Sequence, residues 1–199
     1  MKYIFYTLLL ITSITSCKAQ SPIVNIDASR SSTVDGAYFK DLNNEFNKFI
    51  GTWVFTDGTN TLTIELKKVE MVYNGKDYED KLVGEYKYQG NGLVIVNTLN
   101  NIDNHNTAKH AISGRTLINN DQSIICDDCE TNERRVELYF DDSERRYLTS
   151  YIILRYLNSE TNPEKITATS YLYSSIPFPY EGAPGSPRVP YGTYLMEKQ

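Results

Sequence analysis

The 199-residue sequence has few of the residues that carry enzyme chemistry. It contains three Cys and two His, and it has neither a Gly-x-Ser-x-Gly nucleophile motif nor a glycine-rich phosphate loop. Two His at unrelated positions do not make a convincing catalytic triad. We therefore predict no catalytic residue and no cofactor, and an enzyme is only the third hypothesis for this chain.

The sequence also has neither a basic stripe nor a long hydrophobic run. Its formal net charge is −5, and it becomes −6 when Lys2 is removed with the leader described below. An acidic chain without a basic stripe argues against nucleic acid as a partner. The longest apolar stretch is well short of the about twenty residues that a membrane helix requires.

The N-terminus has the order of a bacterial secretion signal. A positive start is followed by an apolar core at residues 3–11, and small residues precede Cys17. This arrangement resembles a lipobox, in which the Cys becomes the first mature residue and carries acyl chains that anchor it in a membrane. We predict a signal peptide at residues 1–16 and lipid attachment at Cys17, with ordinary cleavage after Ala19 as the alternative.

The residues that follow Cys17 predict a location in the cell and a tether. Lys18 comes next without an acidic cluster, and by similarity to other lipoproteins this favours transport to the outer membrane. We expect the protein in the cell envelope, lipid-anchored on the periplasmic face of that membrane. Residues 17–36 are polar and lack a period, which predicts a lipid anchor and a flexible tether. A single domain is then expected at residues 37–199.

A change of period at Gly51 organises the start of this domain. Four apolar residues recur at the spacing of one helical face: Phe39, Leu42, Phe46 and Phe49. After Gly51, Trp53 and Phe55 alternate with polar or smaller residues, as in a half-buried strand. We predict a short N-terminal helix that ends at Gly51, followed by a strand in which Trp53 is a buried packing residue.

The remaining chain has the alternation of strands and the punctuation of hairpins. Turn signals occur at Asp57-Gly58 and Asn74-Gly75. Later strand patterns cover residues 110–118, 123–126, 135–140, 147–157, 166–173 and 191–198. Short links favour a meander. The prediction is an all-β fold, a single antiparallel up-and-down barrel of about eight to ten strands.

Three segments depart from this regular pattern. Residues 93–96 are apolar on both faces, which predicts a strand covered on both sides. Residues 97–109 contain five Asn and predict a loop that guards one end of the barrel. Residues 176–190 contain five of the seven Pro, which predicts an extended strap rather than a central strand.

The order of these elements, a helix, then Gly51-Thr52-Trp53, then strands, resembles the opening of the lipocalins and related calycin barrels. In those proteins the helix closes the barrel floor and the Trp plugs it. A narrower resemblance covers almost the whole chain and rests on four short stretches, at residues 16–20, 49–53, 81–86 and 190–195. These are similar to a family of small lipoproteins of unknown function from the Bacteroidetes. The resemblance implies a lipid anchor and a lipocalin-like barrel, and it brings no catalytic residue.

Cys126 and Cys129 form the sharpest local motif. In the oxidising envelope, two Cys three residues apart in a turn predict a disulfide. A redox role is the first alternative, but the acidic residues around the pair would destabilise a thiolate. A zinc site with His105 and His110 is the second, and it would require two distant loops to meet. We predict the disulfide and no metal site.

Pairs of Tyr on shared strand faces are the candidates for ligand binding. Tyr86 and Tyr88 form one pair, and Tyr171 and Tyr173 form another. If these faces point inward, amphipathic rings would line a barrel that holds an apolar or sugar-like ligand. The alternative is that Tyr simply fills the core face of each strand.

These features lead to two hypotheses of function. The first is a lipid-anchored envelope protein that binds a small hydrophobic or amphipathic ligand inside a lipocalin-like barrel. The alternative is a non-catalytic envelope accessory protein with a filled barrel that contacts another protein, through the strap or the Asn-rich loop. An open interior would favour the first hypothesis, and a solid core with an exposed apolar patch would favour the second.

Overall fold

The computed structural model describes residues 21–120, 126–177 and 179–199. Within these ranges the strands are β1 (Ile23–Asn25), β2 (Tyr38–Lys40), β3 (Gly51–Asp57), β4 (Asn60–Tyr73), β5 (Tyr78–Gly90), β6 (Leu93–Asn97), β7 (Ile112–Ile118), β8 (Arg135–Phe140), β9 (Leu148–Thr161), β10 (Glu164–Ser175) and β11 (Gly192–Lys198). Short 3₁₀ turns lie at Arg30–Ser32, Asn47–Phe49, Leu99–Asn101 and Thr107–Lys109. Among the described residues, no helical segment has the length and apolar character needed to cross a bilayer.

Eight of the strands close into a ring. Its order is β3, β4, β5, β7, β8, β9, β10 and β11, with every neighbouring pair antiparallel. The ring closes where Lys198 of β11 pairs with Trp53 of β3. The fold is therefore an all-β, closed, eight-stranded antiparallel barrel of the lipocalin-like kind, and the predicted fold class is confirmed.

Strand β5 has three partners along one of its edges. The parallel strand β2 pairs with it at Tyr78, β7 pairs with it at residues 82–84, and β6 pairs with it at residues 87–90. Between the parts of the β5 edge that pair with β6 and β7, Thr98 contacts β5 instead: its N–H donates to the Tyr86 carbonyl oxygen over 2.8 Å. The Asn-rich loop consequently packs on the outer wall of β5, and the prediction that it guards a barrel end is wrong.

Inward-facing side chains fill the barrel. They form one buried cluster whose members from the ring include Trp53, Leu62, Ile64, Leu66, Leu82, Tyr86, Ile112, Val136, Leu138, Phe140, Ile152, Leu154, Ile166, Ala168 and Met196. Five grooves among the described residues lie at the surface and are lined mostly by side chains outside this cluster. The interior therefore resembles the packed core of a small barrel rather than an enclosed ligand cavity.

The predicted helix at residues 39–49 is reduced to the single 3₁₀ turn at Asn47–Phe49. Tyr38–Lys40 forms strand β2 instead, and Asn44 has a left-handed φ of 55° that no α-helix contains. The buried Asp41 carboxylate accepts hydrogen bonds from the backbone N–H groups of Glu45 and Phe46, at 2.8 and 3.1 Å. An Asp side chain that bonds its own backbone in this way competes with helix formation.

Residues 21–36 of the predicted tether are packed against the barrel. Strand β1 pairs with β2, and the side chain of Ile26 is buried in the main core. Arg30 forms ion pairs with Asp77 and Glu79 at the start of β5. Apolar burial and charge pairing therefore hold this segment in place. The prediction of a flexible tether is wrong for residues 21–36. The signal peptide and Cys17 lie outside the described residues.

The proline-rich strap crosses the turn between β8 and β9, and residues 176–177 and 179–190 have no strand pairing. The strap is not extended throughout, because the Ala183 N–H donates to the Tyr180 carbonyl oxygen over 3.2 Å and closes a turn. Val189 is buried in the core cluster. The Arg188 guanidinium bonds the buried Asp142 carboxylate, with Nε 2.8 Å from Oδ1. The Tyr147 hydroxyl donates to the carbonyl oxygen of Pro184 over 2.9 Å. These contacts fix the strap to the barrel.

Candidate functional site

A group of tyrosines lies on the outer wall of strands β8, β9 and β10. Tyr139, Tyr151 and Tyr171 stand opposite one another in register, and Tyr173 lies one outward position further along β10. The ring centroid of Tyr151 is 6.0 Å from that of Tyr139, 6.2 Å from that of Tyr171 and 5.0 Å from that of Tyr173. Tyr173 is 67% exposed. We call these four residues the tyrosine face.

Two carboxylates border the tyrosine face and orient its hydroxyls. The hydroxyl of Tyr171 donates to Oε1 of Glu137 over 2.5 Å, and that of Tyr139 donates to Oδ1 of Asp141 over 3.3 Å. Burial raises the pKa of Tyr171, and the bond to Glu137 raises it further. Burial also raises the pKa of Tyr139, with Asp141 adding to the effect. These hydroxyls are therefore protonated donors at neutral pH.

A groove of about 330 Å³ adjoins the tyrosine face on the same wall. Its floor consists of Ile153 and three threonines, Thr167, Thr169 and Thr193, and its sides include Cys126, Asp128, Arg135 and Arg155. Glu137, Ile153, Thr169 and Thr193 form one cross-strand row. That row is next to the row of Tyr139, Tyr151 and Tyr171, so groove and tyrosine face form one continuous surface.

The disulfide turn, residues 126–129, forms one side of this groove. Cys126 and Cys129 are joined by a disulfide bond. Arg155 ties the turn to the barrel, because its guanidinium donates to the carboxylates of Asp128 and Glu133 at 2.8 and 2.6 Å. The hydrogen bond from Arg155 holds the pKa of Asp128 below its usual range. The wall of the groove is therefore anchored by charge as well as by the disulfide.

The structure divides the four predicted ligand-binding tyrosines between two sides of the barrel wall. Tyr86 lies in the filled interior, where its hydroxyl donates to the Asp141 carbonyl oxygen over 3.0 Å, and Tyr88 packs beside the same core. Tyr171 and Tyr173 face outward. The four therefore do not line one internal cavity, because the β10 pair occupies positions of the opposite parity.

Gly51 and Trp53 lie at the barrel end next to the 3₁₀ turn. Gly51 has a φ of 125°, which L side chains rarely adopt. Trp53 is fully buried, and its Nε1–H donates to the Phe49 carbonyl oxygen over 2.8 Å. The ammonium of Lys198 lies 5.3 Å from the centre of the Trp53 ring. Both residues thus have structural positions at this end of the barrel.

Three of the four residues considered for zinc, Cys126, Cys129 and His110, are engaged elsewhere. The sulfurs of Cys126 and Cys129 are bonded to each other. Nδ1 of His110 lies 2.9 Å from Oε1 of Glu85, and Nε2 lies 3.0 Å from the carbonyl oxygen of Asn104. Asp128 is the third member of the one metal-ligand grouping that the described residues form, with its ligand atom within 4.8 Å of both sulfurs. A disulfide cannot serve as a thiolate pair.

The sequence analysis did not identify Tyr139, Glu137 and the three threonines of the groove as parts of one surface. The signal was present in the parity of the strands, since Glu137 and Tyr139 alternate with the inward Val136, Leu138 and Phe140. The neighbours across strands depend on register, which alternation within one strand does not determine.

The fold and the site define a filled β-barrel whose outer wall carries a tyrosine face beside a groove. Comparison with family models matches the whole chain, residues 1–199, to one family, described as a family of unknown function (DUF6705). The chain belongs to that family. No curated protein and no solved structure matches it.

Proposed function

We propose that this chain is a non-catalytic accessory protein of the cell envelope that contacts another protein through its tyrosine face. The observation that carries the proposal is the combination of a filled barrel with a cluster of four tyrosine rings on its outer wall, of which Tyr173 is exposed and the other three are partly exposed. Tyr provides large contact area, and its two side-chain torsions lose little entropy on binding. Protein interfaces are enriched in Tyr at their energetic centres for this reason.

The filled interior argues against the rival hypothesis of an internal ligand. Gly84, on the inward face of β5, has no room for even one added carbon, since a Cβ there would lie 2.6 Å from Cδ2 of Leu66. An internal ligand would have to displace side chains that are already closely packed. A surface partner requires no such rearrangement.

The chemistry of the tyrosine face favours a partner surface that carries Arg or Lys. Glu137 and Asp141 border the rings, whereas Asp128 across the groove is already paired with Arg155. Guanidinium and ammonium groups bind carboxylates, and they also bind the faces of tyrosine rings. The formal net charge of −5 for the chain would steer such a partner toward it.

The proposed location is the periplasmic face of the outer membrane, with Cys17 as the lipid-bearing residue. The small residues before Cys17 and the following Lys18 support it. Cys17→Ser should move the protein from the membrane fraction to the soluble envelope fraction. A native N-terminus at Gln20 without lipid, measured by intact mass, would overturn the anchor without affecting the partner proposal.

Site-specific photo-crosslinking in cells tests the partner proposal. A photo-reactive phenylalanine derivative at position 173 should give a discrete crosslinked product, whereas the same group at the exposed Tyr73, outside the tyrosine face, should not. Tyr151→Ala, which removes the ring that contacts its three neighbours, should abolish the product formed at position 173. Equal products at positions 173 and 73, or no product at either, would contradict the proposal.

A further inference from the structure

The point at which the described chain begins limits how far the barrel can lie from its proposed lipid anchor. The chain is described from Ser21, four residues after Cys17. It is fixed to the barrel at once, because the Tyr38 N–H donates to the Pro22 carbonyl oxygen over 2.9 Å and β1 pairs with β2. A fully extended chain spans at most about 3.6 Å per residue, so these four residues reach no further than about 14 Å.

The chain meets the barrel at one particular end. β1 and β2 run parallel to each other and to β5, so Ile23 lies where β5 begins and β4 ends. One cross-strand row joins these strands, because Ile23 pairs with Tyr38, Tyr38 with Tyr78, and Tyr78 with Tyr73. We call this end of the barrel the anchor end, and it consists of residues 21–25, 34–40 and 71–78.

The anchor end exposes apolar side chains from three segments of the chain. They are Ile23, Val34, Met71 and Tyr73, which are 52%, 63%, 56% and 59% exposed. The ring centroids of Tyr73 and Tyr78 are 5.2 Å apart. The Gly36 N–H donates to Oδ1 of Asp77 over 3.0 Å, which joins the segment of Val34 to the β4–β5 hairpin. Apolar side chains enter the boundary between lipid head groups and acyl chains, and Tyr is enriched there.

Opposite charges are paired at the tip of the anchor end. Nζ of Lys76, in the β4–β5 turn, lies 2.8 Å from Oδ1 of Asp35, and both side chains are exposed. The ammonium of Lys40 lies 5.8 Å from the centre of the Tyr38 ring. The negative potential of anionic lipids acts on charges near the membrane surface. Paired charges at this tip therefore meet little repulsion, although the chain as a whole is acidic.

A second apolar area lies too far from the anchor to rest on the same membrane. Leu93, Val94 and Ile95 of β6 are exposed, although the sequence predicted a strand covered on both sides. β6 joins β5 from Lys87, whereas β2 joins it at Tyr78, so at about 3.3 Å per residue the two are separated by roughly 30 Å. The short reach from Cys17 thus favours the anchor end as the face that meets lipid.

We propose that the anchor end rests on the lipid surface that holds Cys17, with Ile23, Val34, Met71 and Tyr73 in the head-group region. This inference rests on the proposed lipid anchor, and it adds the face of the barrel that meets the membrane. The acyl chains bring this end to the surface, and its exposed apolar side chains then leave water for the lipid boundary.

This orientation leaves the tyrosine face free for a partner. β5, β8 and β10 run in the same direction, because one antiparallel strand stands between each of them and the next. β5 begins at the anchor end, so β8 and β10 end at the opposite end of the barrel. Tyr139 and Tyr173 lie close to the last residues of β8 and β10. The tyrosine face would therefore lie on the side away from the lipid.

Quenching by brominated lipid tests the proposed membrane face. The acylated complete chain is placed in vesicles of phosphatidylethanolamine and phosphatidylglycerol, with or without bromine on the lipid acyl chains. We expect the emission that Tyr73→Trp adds to the wild-type emission of Trp53 to fall at least about twofold with brominated lipid, because the ring would lie at the interface. Tyr173→Trp is the matched control, since Tyr173 is 67% exposed at the opposite end. Its added emission should not change.

Hydrogen exchange provides a measurement that requires no Trp variant. The amides of residues 74–77 should exchange more slowly in the acylated wild type in vesicles than in Cys17→Ser mixed with the same vesicles. The amides of residues 180–186, in the strap at the opposite end, should exchange alike in both.

Intact mass separates failure of the anchor from failure of the membrane face. A chain without acyl groups would overturn the anchor and this inference together. In acylated chains, equal quenching at positions 73 and 173, no quenching at position 73, or unchanged exchange of residues 74–77 would overturn the membrane face alone. None of these outcomes affects the crosslink expected at position 173, so the partner proposal and this inference fail separately.

Discussion

Nδ1 of His110 lies 2.9 Å from Oε1 of Glu85, and both side chains are shielded from solvent on the outer wall of β5. Nε2 of His110 faces the Asn104 carbonyl oxygen, which can only accept, so Nε2 must carry a proton. Nδ1, the other ring nitrogen, forms the contact with Glu85. Asn101 also donates to Oε1, over 2.8 Å. The pair therefore fastens the Asn-rich loop into the gap between β6 and β7.

Removing both members of this pair should destabilise the protein less than the sum of the two single removals. Oε2 of Glu85 has no hydrogen-bond partner among the described residues, so His110→Ala would leave a buried carboxylate poorly compensated. We expect a loss of about 3–5 kcal/mol in the free energy of unfolding. The double variant Glu85→Ala, His110→Ala should lose less than the sum of the single variants, as chemical denaturation can measure. Strict additivity would show that the two groups do not act together.

The strap should loosen in acid because it is fixed by a carboxylate with a depressed pKa. Burial alone would raise the pKa of Asp142, but the hydrogen bonds from the side chain and backbone N–H of Arg188 outweigh it and lower the pKa. A depressed pKa contributes stability above the unfolded value, about 3.9 for Asp, and that contribution is lost as the pH falls through the native value.

Asp142→Asn tests this pH dependence. At neutral pH the variant should lose about 1.5–3 kcal/mol, the range for hydrogen bonds to a charged group. Its free energy of unfolding should then change less than that of the wild type between pH 7 and pH 3. Glu144→Gln is the control: the Glu144 side chain is the other carboxylate that pairs with Arg188, and it is 72% exposed. This variant should have little effect on stability. If the free energy of unfolding of Asp142→Asn falls with pH as steeply as that of the wild type, groups other than Asp142 cause the acid sensitivity.

The sequence alone was sufficient where a pattern is local and insufficient where a partner is distant. The parity of β8 predicted its bounds, residues 135–140, as the structure has them, because alternation and turn residues are local signals. The helix before Gly51 was wrong in extent because Asp41 and Asn44 compete with helical hydrogen bonds, and apolar spacing does not report this.

The candidate site was harder to predict than the fold. The tyrosine face depends on the register of three strands, which sets Tyr139, Tyr151 and Tyr171 side by side. The exposure of β6 depends on β7 pairing with the same edge of β5. Both are non-local relationships, and the composition of a strand is the same whether or not another strand covers it.

The disulfide should be dispensable for the fold. Its loop is so short that the bond removes little entropy from the unfolded chain, and Asn120 independently holds the turn by accepting from the Cys126 N–H over 2.8 Å. The double variant Cys126→Ser, Cys129→Ser should therefore lose at most about 1–2 kcal/mol in a denaturation experiment. Free thiols in protein isolated without reductant would show that the bond does not form in the envelope, and a larger loss would show that the turn supports the barrel.

Gly84→Ala and dye binding together distinguish a filled barrel from a hollow one. A Cβ at this position would lie 2.5 Å from the Glu65 carbonyl oxygen, where backbone cannot yield, so Gly84→Ala should lose about 1–3 kcal/mol through overpacking. Gly185→Ala is the matched control and should be neutral, since nothing lies within 4 Å of the added carbon and the φ of Gly185 is one that Ala readily adopts. A naphthalene dye should show no saturable binding to the folded wild type. Tolerance of Gly84→Ala together with saturable dye binding would mean that the interior has room for a ligand, and it would return the internal-ligand hypothesis to first place.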